Sequence, residues 1–218
     1  MNSLDSRFLR LGDCFAQKFS KAGTYKYIVT AGAGSCLSAA EGEYTIVVTP
    51  AKGKEKKAPE SSQHNVVVRV KDGNLVAEPA RTEISMSDTV LWHTPDAATP
   101  GFAVIGEGKE GSFSSGALAV EAVYSHAFGS VGTYQWVDAN GSNLRGEIVV
   151  EEMEIKERND CLKWIDTLSK GTLIHVVGGK AEPSKVKILT GQTVFWAVEK
   201  AAGISITDSR LLVRRAVR

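Results

Sequence analysis

The chain has 218 residues, enough for one large domain or two of about 100 residues, either of which buries a real core. Its 26 lysines and arginines nearly balance 25 aspartates and glutamates, so no strongly basic face points to nucleic acid. No apolar run reaches the roughly 18 residues of a membrane span, and the opening MNSLDSRFLRLGDCF lacks the apolar core of a secretion signal.

Residues 8–48 hold Phe15, Phe19 and Gly23-Thr24-Tyr25-Lys26-Tyr27, and end in the apolar run Tyr44-Thr45-Ile46-Val47-Val48. Bulky residues on a period of two beside a glycine predict half-buried strands meeting at a tight corner. Residues 49–64, with four lysines, two prolines and two serines, show no apolar periodicity and are expected to be an exposed linker. Asn65 to Val70 then predicts a strand, Lys71-Asp72-Gly73-Asn74 a turn, Leu75 to Ala77 a second strand and Thr82 to Trp92 a third. Pro95 and Pro100 exclude a central strand from His93 to Gly101, and Phe102 to Ile105 resumes an apolar run. The glycine-rich Gly106 to Gly116 lacks the Lys-Ser/Thr pair and the following helix of a phosphate loop, and reads as a flexible connection.

The stretch YSHAFGSVGTYQWVDANGSNLRGEIVV, Tyr124 to Val150, repeats the opening pattern. Phe15 falls on Tyr124, Phe19 on Phe128, Gly23-Thr24-Tyr25 on Gly132-Thr133-Tyr134, and Tyr27 on Trp136. Glu151 to Asp160 is a charged connector. Beyond it, Ala181-Glu182-Pro183, Ile188, Thr193-Val194 and Trp196 repeat Ala77-Glu78-Pro79, Ile84, Thr89-Val90 and Trp92 without a gap.

The run F-x-x-x-G-T-Y-x-W, a short loop and a closing G-x-I-V-V strand resemble the C-terminal half of the cupredoxin family, of plastocyanin and azurin type. The resemblance implies an all-β, Greek-key β-sandwich. It divides the chain into a C-terminal half-domain at 8–48, a linker at 49–64, one complete domain at 65–150 and an N-terminal half-domain at 161–212. The two halves are complementary, so 161–212 is expected to pair with 8–48, within one chain or between chains. Val90, Trp92, Phe128, Tyr134 and Trp136 are the expected core of the complete domain. An immunoglobulin-like sandwich also carries a G-x-Y corner, but the D-T-V-x-W strand and Pro-rich loop favour the cupredoxin likeness.

A blue-copper site needs two imidazoles, a thiolate and a weak axial thioether. Counting back from Gly146, Leu144 stands at the axial position, Gly141 at the histidine and Asp138 at the thiolate, while the upstream histidine should fall near Pro100 or Gly101. In the flanking halves Val29 and Gly32 stand at the thiolate and histidine positions, and Gly203 or Ile204 at the upstream histidine. The metal ligands are therefore expected to be absent, with no cofactor.

His64, His93, His126 and His175 are isolated, without the paired H-x-H of a multicopper cluster. His93 is expected to face away from the core and His126 to pack at a sandwich edge. Cys14, Cys36 and Cys161 are too few for a disulfide framework, and Cys36 has no neighbouring base to make it reactive. Asn140-Gly141-Ser142 is a glycosylation sequon, and no G-x-S-x-G, H-E-x-x-H or P-loop motif occurs. The expectation is a chain with no catalytic residues. It would be a structural or protein-interaction module of tandem cupredoxin-like repeats that have lost copper, associating with a protein partner or with itself through the half-domains. The alternative is a copper electron-transfer protein or oxidase component.

Overall fold

The computed structural model describes residues 3–32, 43–50, 61–200 and 203–213. The chain is all-β. In order its strands are β1 (Asp13–Lys18), β2 (Gly23–Ala31), β3 (Tyr44–Thr49), β4 (Gln63–Lys71), β5 (Asn74–Glu78), β6 (Arg81–Ser85), β7 (Thr89–His93), β8 (Phe102–Gly108) and β9 (Gly111–Ser114). They continue as β10 (Ala122–Ala127), β11 (Gly132–Val137), β12 (Arg145–Glu151), helix α1 (Arg158–Leu168), β13 (Thr172–Val177), β14 (Lys180–Glu182), β15 (Lys185–Leu189), β16 (Thr193–Val198), β17 (Thr207–Asp208) and helix α2 (Ser209–Val213). Among the described residues no helix is long and apolar enough to cross a membrane.

Alternation of apolar and polar residues makes these strands one-faced, so their apolar faces must meet another layer. One sheet of eight strands runs β14-β13-β16-β10-β1-β7-β4-β5. Its inner face meets a five-stranded sheet, β6-β3-β2-β8-β9, at one end and a four-stranded sheet, β15-β12-β11-β17, at the other. Aromatic rings bridge the layers. Trp92 of β7 lies edge-on to Tyr27 of β2 at 5.5 Å and stacks on Phe113 of β9 at 5.4 Å. At the other end Trp196 of β16 lies edge-on to Trp136 of β11 at 5.9 Å.

The pairing corrects the expected division of the chain. Residues 65–150 do not form a sandwich among themselves. β2 pairs with β8 and β3 with β6, so 8–48 is completed by the strands between 63 and 114. β12 pairs with β15, β10 with β16 and β11 with β17, so 122–151 is completed by the strands beyond 172. The expected partnership of 8–48 with 161–212 does not form among the described residues: no strand of one pairs with a strand of the other, and only the preceding residues Leu4, Asp5 and Ser6 bond to Asp208, Thr207 and Ile206. The physical reason lies in the similar stretches. Trp92 and Trp196, like Phe19 and Phe128, offer the same inward chemistry, so either partner satisfies the local pattern.

The expected core residues Val90, Trp92, Phe128, Tyr134 and Trp136 are all buried, but they divide between the two ends of the large sheet. At the corner, the Tyr134 hydroxyl donates to the Ser130 carbonyl at 2.9 Å, and that of Tyr25 donates to Lys21 at 3.2 Å. Both tyrosines thus anchor the turn that leads into their own strand.

Four local expectations also change. The stretch 82–92 is two strands, broken where Ser87 takes φ 77°. Gly106 to Gly116 is not a loose connection but the β8–β9 hairpin, stabilised by Phe113 lying over Gly106, where a Cβ would sit 2.3 Å from the ring. The linker at 49–64 is shortened by β3 and β4 at its ends, and 51–60 lies outside the described residues, as does Cys36 with most of its loop. The connector 151–160 gives way to α1, whose start is held by Asp160 Oδ2 accepting the Glu157 amide at 3.2 Å. The helix end is tied to the sheet by Gln192, whose Nε2 donates to the carbonyls of Thr167 and Lys170, each at 3.1 Å.

Candidate functional site

Some of the positions expected from the sequence to stand for copper ligands come together, although in a different combination from the one the sequence suggests. Asp138 ends β11, and it meets the segment 203–205 rather than Pro100 or Gly101. Its Oδ1 accepts the Ser205 amide at 2.8 Å, the Asn140 amide at 2.9 Å and the Ser205 hydroxyl at 3.3 Å. Its Oδ2 accepts the Ser142 amide at 3.0 Å. A carboxylate offers about four lone-pair sites, and backbone and hydroxyl donors occupy them. Burial disfavours the charge on Asp138, but the hydrogen bonds from Ser142, Ser205 and Asn140 outweigh it and hold the carboxyl below its usual range.

Around this carboxylate the loop is closed. Leu144 is buried at the axial position, and its carbonyl accepts the Asp138 amide at 2.9 Å. Gly141 has φ 101°, which its missing Cβ permits. Asn140 of the sequon donates Nδ2 to the carbonyls of Gly116 at 2.9 Å and Gly203 at 2.8 Å, so its amide is already engaged in holding two segments together.

The equivalent place at the other end of the molecule is closed differently. The Gly32 amide donates to the Gly101 carbonyl at 2.8 Å, and the N-terminal segment packs over both glycines. A Cβ on Gly32 would lie 2.9 Å from the Phe8 ring, and one on Gly101 would lie 3.1 Å from Arg10 Nε. Val29, at the thiolate position, is fully buried. Neither donor set fits copper: the positions carry carboxylate, glycine, leucine and valine, with no imidazole or thiolate. Among the described residues no three His, Cys, Asp or Glu side chains gather as a metal-binding group.

Set against protein-family models, curated proteins and solved structures, the chain matches none of them. Its function must therefore be read from its own side chains.

The four histidines remain apart. His64 reaches Asp88 at 3.2 Å, and His175 pairs with Glu199 on the surface. His93 is half-buried on the outer face of the large sheet, where burial and the neighbouring Arg69 lower its pKa. Cys14 and Cys161 are free thiols, and burial pushes the Cys14 thiol up against the opposing hydrogen bond from Ser125, away from nucleophilic use.

His126 sits in the junction between the two ends of the large sheet, where β1 and β10 pair antiparallel and Phe15 faces Tyr124. Its Nδ1 meets Asp13 Oδ1 at 2.6 Å, and the same oxygen accepts the Tyr124 hydroxyl at 2.7 Å. Asp13 Oδ2 accepts the Arg10 amide at 2.9 Å, and the Tyr124 oxygen accepts the Asp5 amide at 3.1 Å. Asp13, Tyr124 and His126 are no more than 5% exposed. Burial first, then the negative charge of Asp13, push the Tyr124 pKa well above its usual value. Asp5 and Asp13 lie far in the chain from Tyr124, and the three do not stand out in the sequence as a group. A signal existed: a period of two through Phe15 places Asp13 and Gln17 on the inward face, where polar residues need partners.

Asp138 also sets a pH dependence. Its depressed folded pKa means that its contribution to stability is complete above the ordinary aspartate value of about 3.9 and is lost as the pH falls through the lower, folded value. Asp138→Asn is expected to be less stable than the parent at pH 7, with the difference shrinking on acidification below about pH 4. Thermal melts across that range check this; a constant difference would assign the loss to packing alone.

Proposed function

We propose that the chain is a non-catalytic structural or protein-interaction module, made of two cupredoxin-like Greek-key sandwiches that have lost copper. Each would have its back half before its front half in sequence, a circular permutation of the family's order. The observation that carries this reading is the convergence of the former ligand positions. Asp138 beside Ser205 and Gly203, and Gly32 against Gly101, meet as ligand positions of one metal would, yet they are filled by backbone bonds and by Phe8.

The repeat reading is supported by how the large sheet runs outward from its centre. One arm is β1, β7, β4, β5 and the other β10, β16, β13, β14, and each arm contains one parallel pair, β4 with β7 and β13 with β16. Side-chain bonds follow the same correspondence. The Ser6 hydroxyl accepts the Ile206 amide at 3.0 Å, as the Ser115 hydroxyl accepts the Val104 amide at 3.1 Å. Among the described residues no metal-binding group gathers, and such a frame can still present surfaces.

Titration of the purified full chain with cupric ion, followed by visible absorption, tests the loss of copper. No intense thiolate-to-copper band is expected. A strong band would overturn this reading in favour of an electron-transfer protein.

A further inference from the structure

Strand β9 ends the five-stranded sheet, and its outer edge faces a slot in the protein rather than open solvent. Gly108 faces Gly111 across the two-residue turn Lys109-Glu110, so the bonded pairs of the hairpin are 108 with 111 and 106 with 113. The backbone groups of Ser112 and Ser114 then point away from β8. The Ser114 carbonyl is taken by the Ala117 amide at 3.3 Å, which among the described residues leaves the Ser112 amide and carbonyl and the Ser114 amide for an added strand.

Two clefts flank this edge, and both are lined by Ser112, Phe113 and Ala119. The outer one, about 560 Å3, is floored by Ile28 and Ile105, which are 39% and 48% exposed. The inner one, about 280 Å3, opens between the sheet layers beside Phe19, Gln17 and Val120, the last 44% exposed. An added strand sends successive side chains to opposite faces, so alternate residues would enter the outer and the inner cleft. Both clefts offer apolar contact.

We infer that the β9 edge is a binding site for a short extended segment of another protein, rich in β-branched residues, that adds a sixth strand to this sheet. This rests on the reading of the chain as an interaction module and names its docking surface. The occupant is a single strand and not the same edge of a second copy, because the connector from Ala117 to Glu121 lines the far wall of the clefts and stands where the second sheet would have to pass.

The probe is an arrayed library of seven-residue peptides varying valine, isoleucine and threonine, with terminal lysines for solubility, applied to the full chain. Expected are peptides that bind, slow the exchange of the Ser112 and Ser114 amides, and lose at least about tenfold in affinity with Ser112→Pro, which removes the outward donor. Ile105→Glu, on the solvent side of β8, should weaken the same peptides with an unchanged melting temperature, and it stands if the proline variant fails to fold. The inference is overturned by no binding at about 1 mM peptide, by binding that survives both substitutions, or by concentration-dependent dimers that protect Ser112 without peptide. A copper band with peptide binding intact would remove the metal-free reading alone.

Discussion

Trp136→Ala is expected to lower the stability of the chain by about 3 to 5 kcal/mol, the usual cost of truncating a buried aromatic residue. Trp136 is fully buried, edge-on to Trp196, and it lies against Gly146, where a Cβ would sit 2.7 Å from its ring. The cavity left by the indole is bounded by strands from separate parts of the chain, so it cannot close by a local shift. Chemical denaturation measures the loss. Hydrogen exchange locates it, and protection should fall first in β13 and β16, which share this core, before β4 and β7. The buried apolar residues run on from one end of the large sheet to the other, so equal loss in β4 and β7 would mean that this continuous core responds as one unit.

Asp13→Ala is the second large effect, also about 3 to 5 kcal/mol, because it removes one partner from a buried hydrogen-bonded group and strands the others. The Tyr124 hydroxyl, His126 Nδ1 and the Arg10 amide all use this carboxylate, and Tyr124 and His126 are buried away from water that could replace it. Asp13 and His126 face one another across β1 and β10, so the substitution acts on the seam that joins the two ends of the sheet. Urea unfolding measures it, and a broadened or split transition is the expected form. A loss below about 1 kcal/mol would show that the seam takes up water and that this group does not hold it.

What the sequence determined by itself was local. Alternation marked the strands of 65–78 and 132–150, and the Gly-Thr-Tyr corners placed Tyr25 and Tyr134 correctly at their turns. These are short-range signals, because the pattern of side chains on a strand and the chemistry of a turn depend on neighbours within a few residues. α1 was hidden because the charge of 151–160 dominates its start and none of its residues is buried, which leaves its apolar stripe weak.

Only the tertiary structure decided which strands belong together. The stretch 122–151 could meet either 63–114 or 172–208 with the same inward tryptophan, Trp92 or Trp196, so no local feature chose between them. The choice lies in contacts distant in sequence: Asp138 with Ser205, Gly32 with Gly101, and Asp13 with His126 and Tyr124. Each is a polar or close-packed contact with one workable partner, whereas apolar burial is non-directional and accepts any face of the right shape.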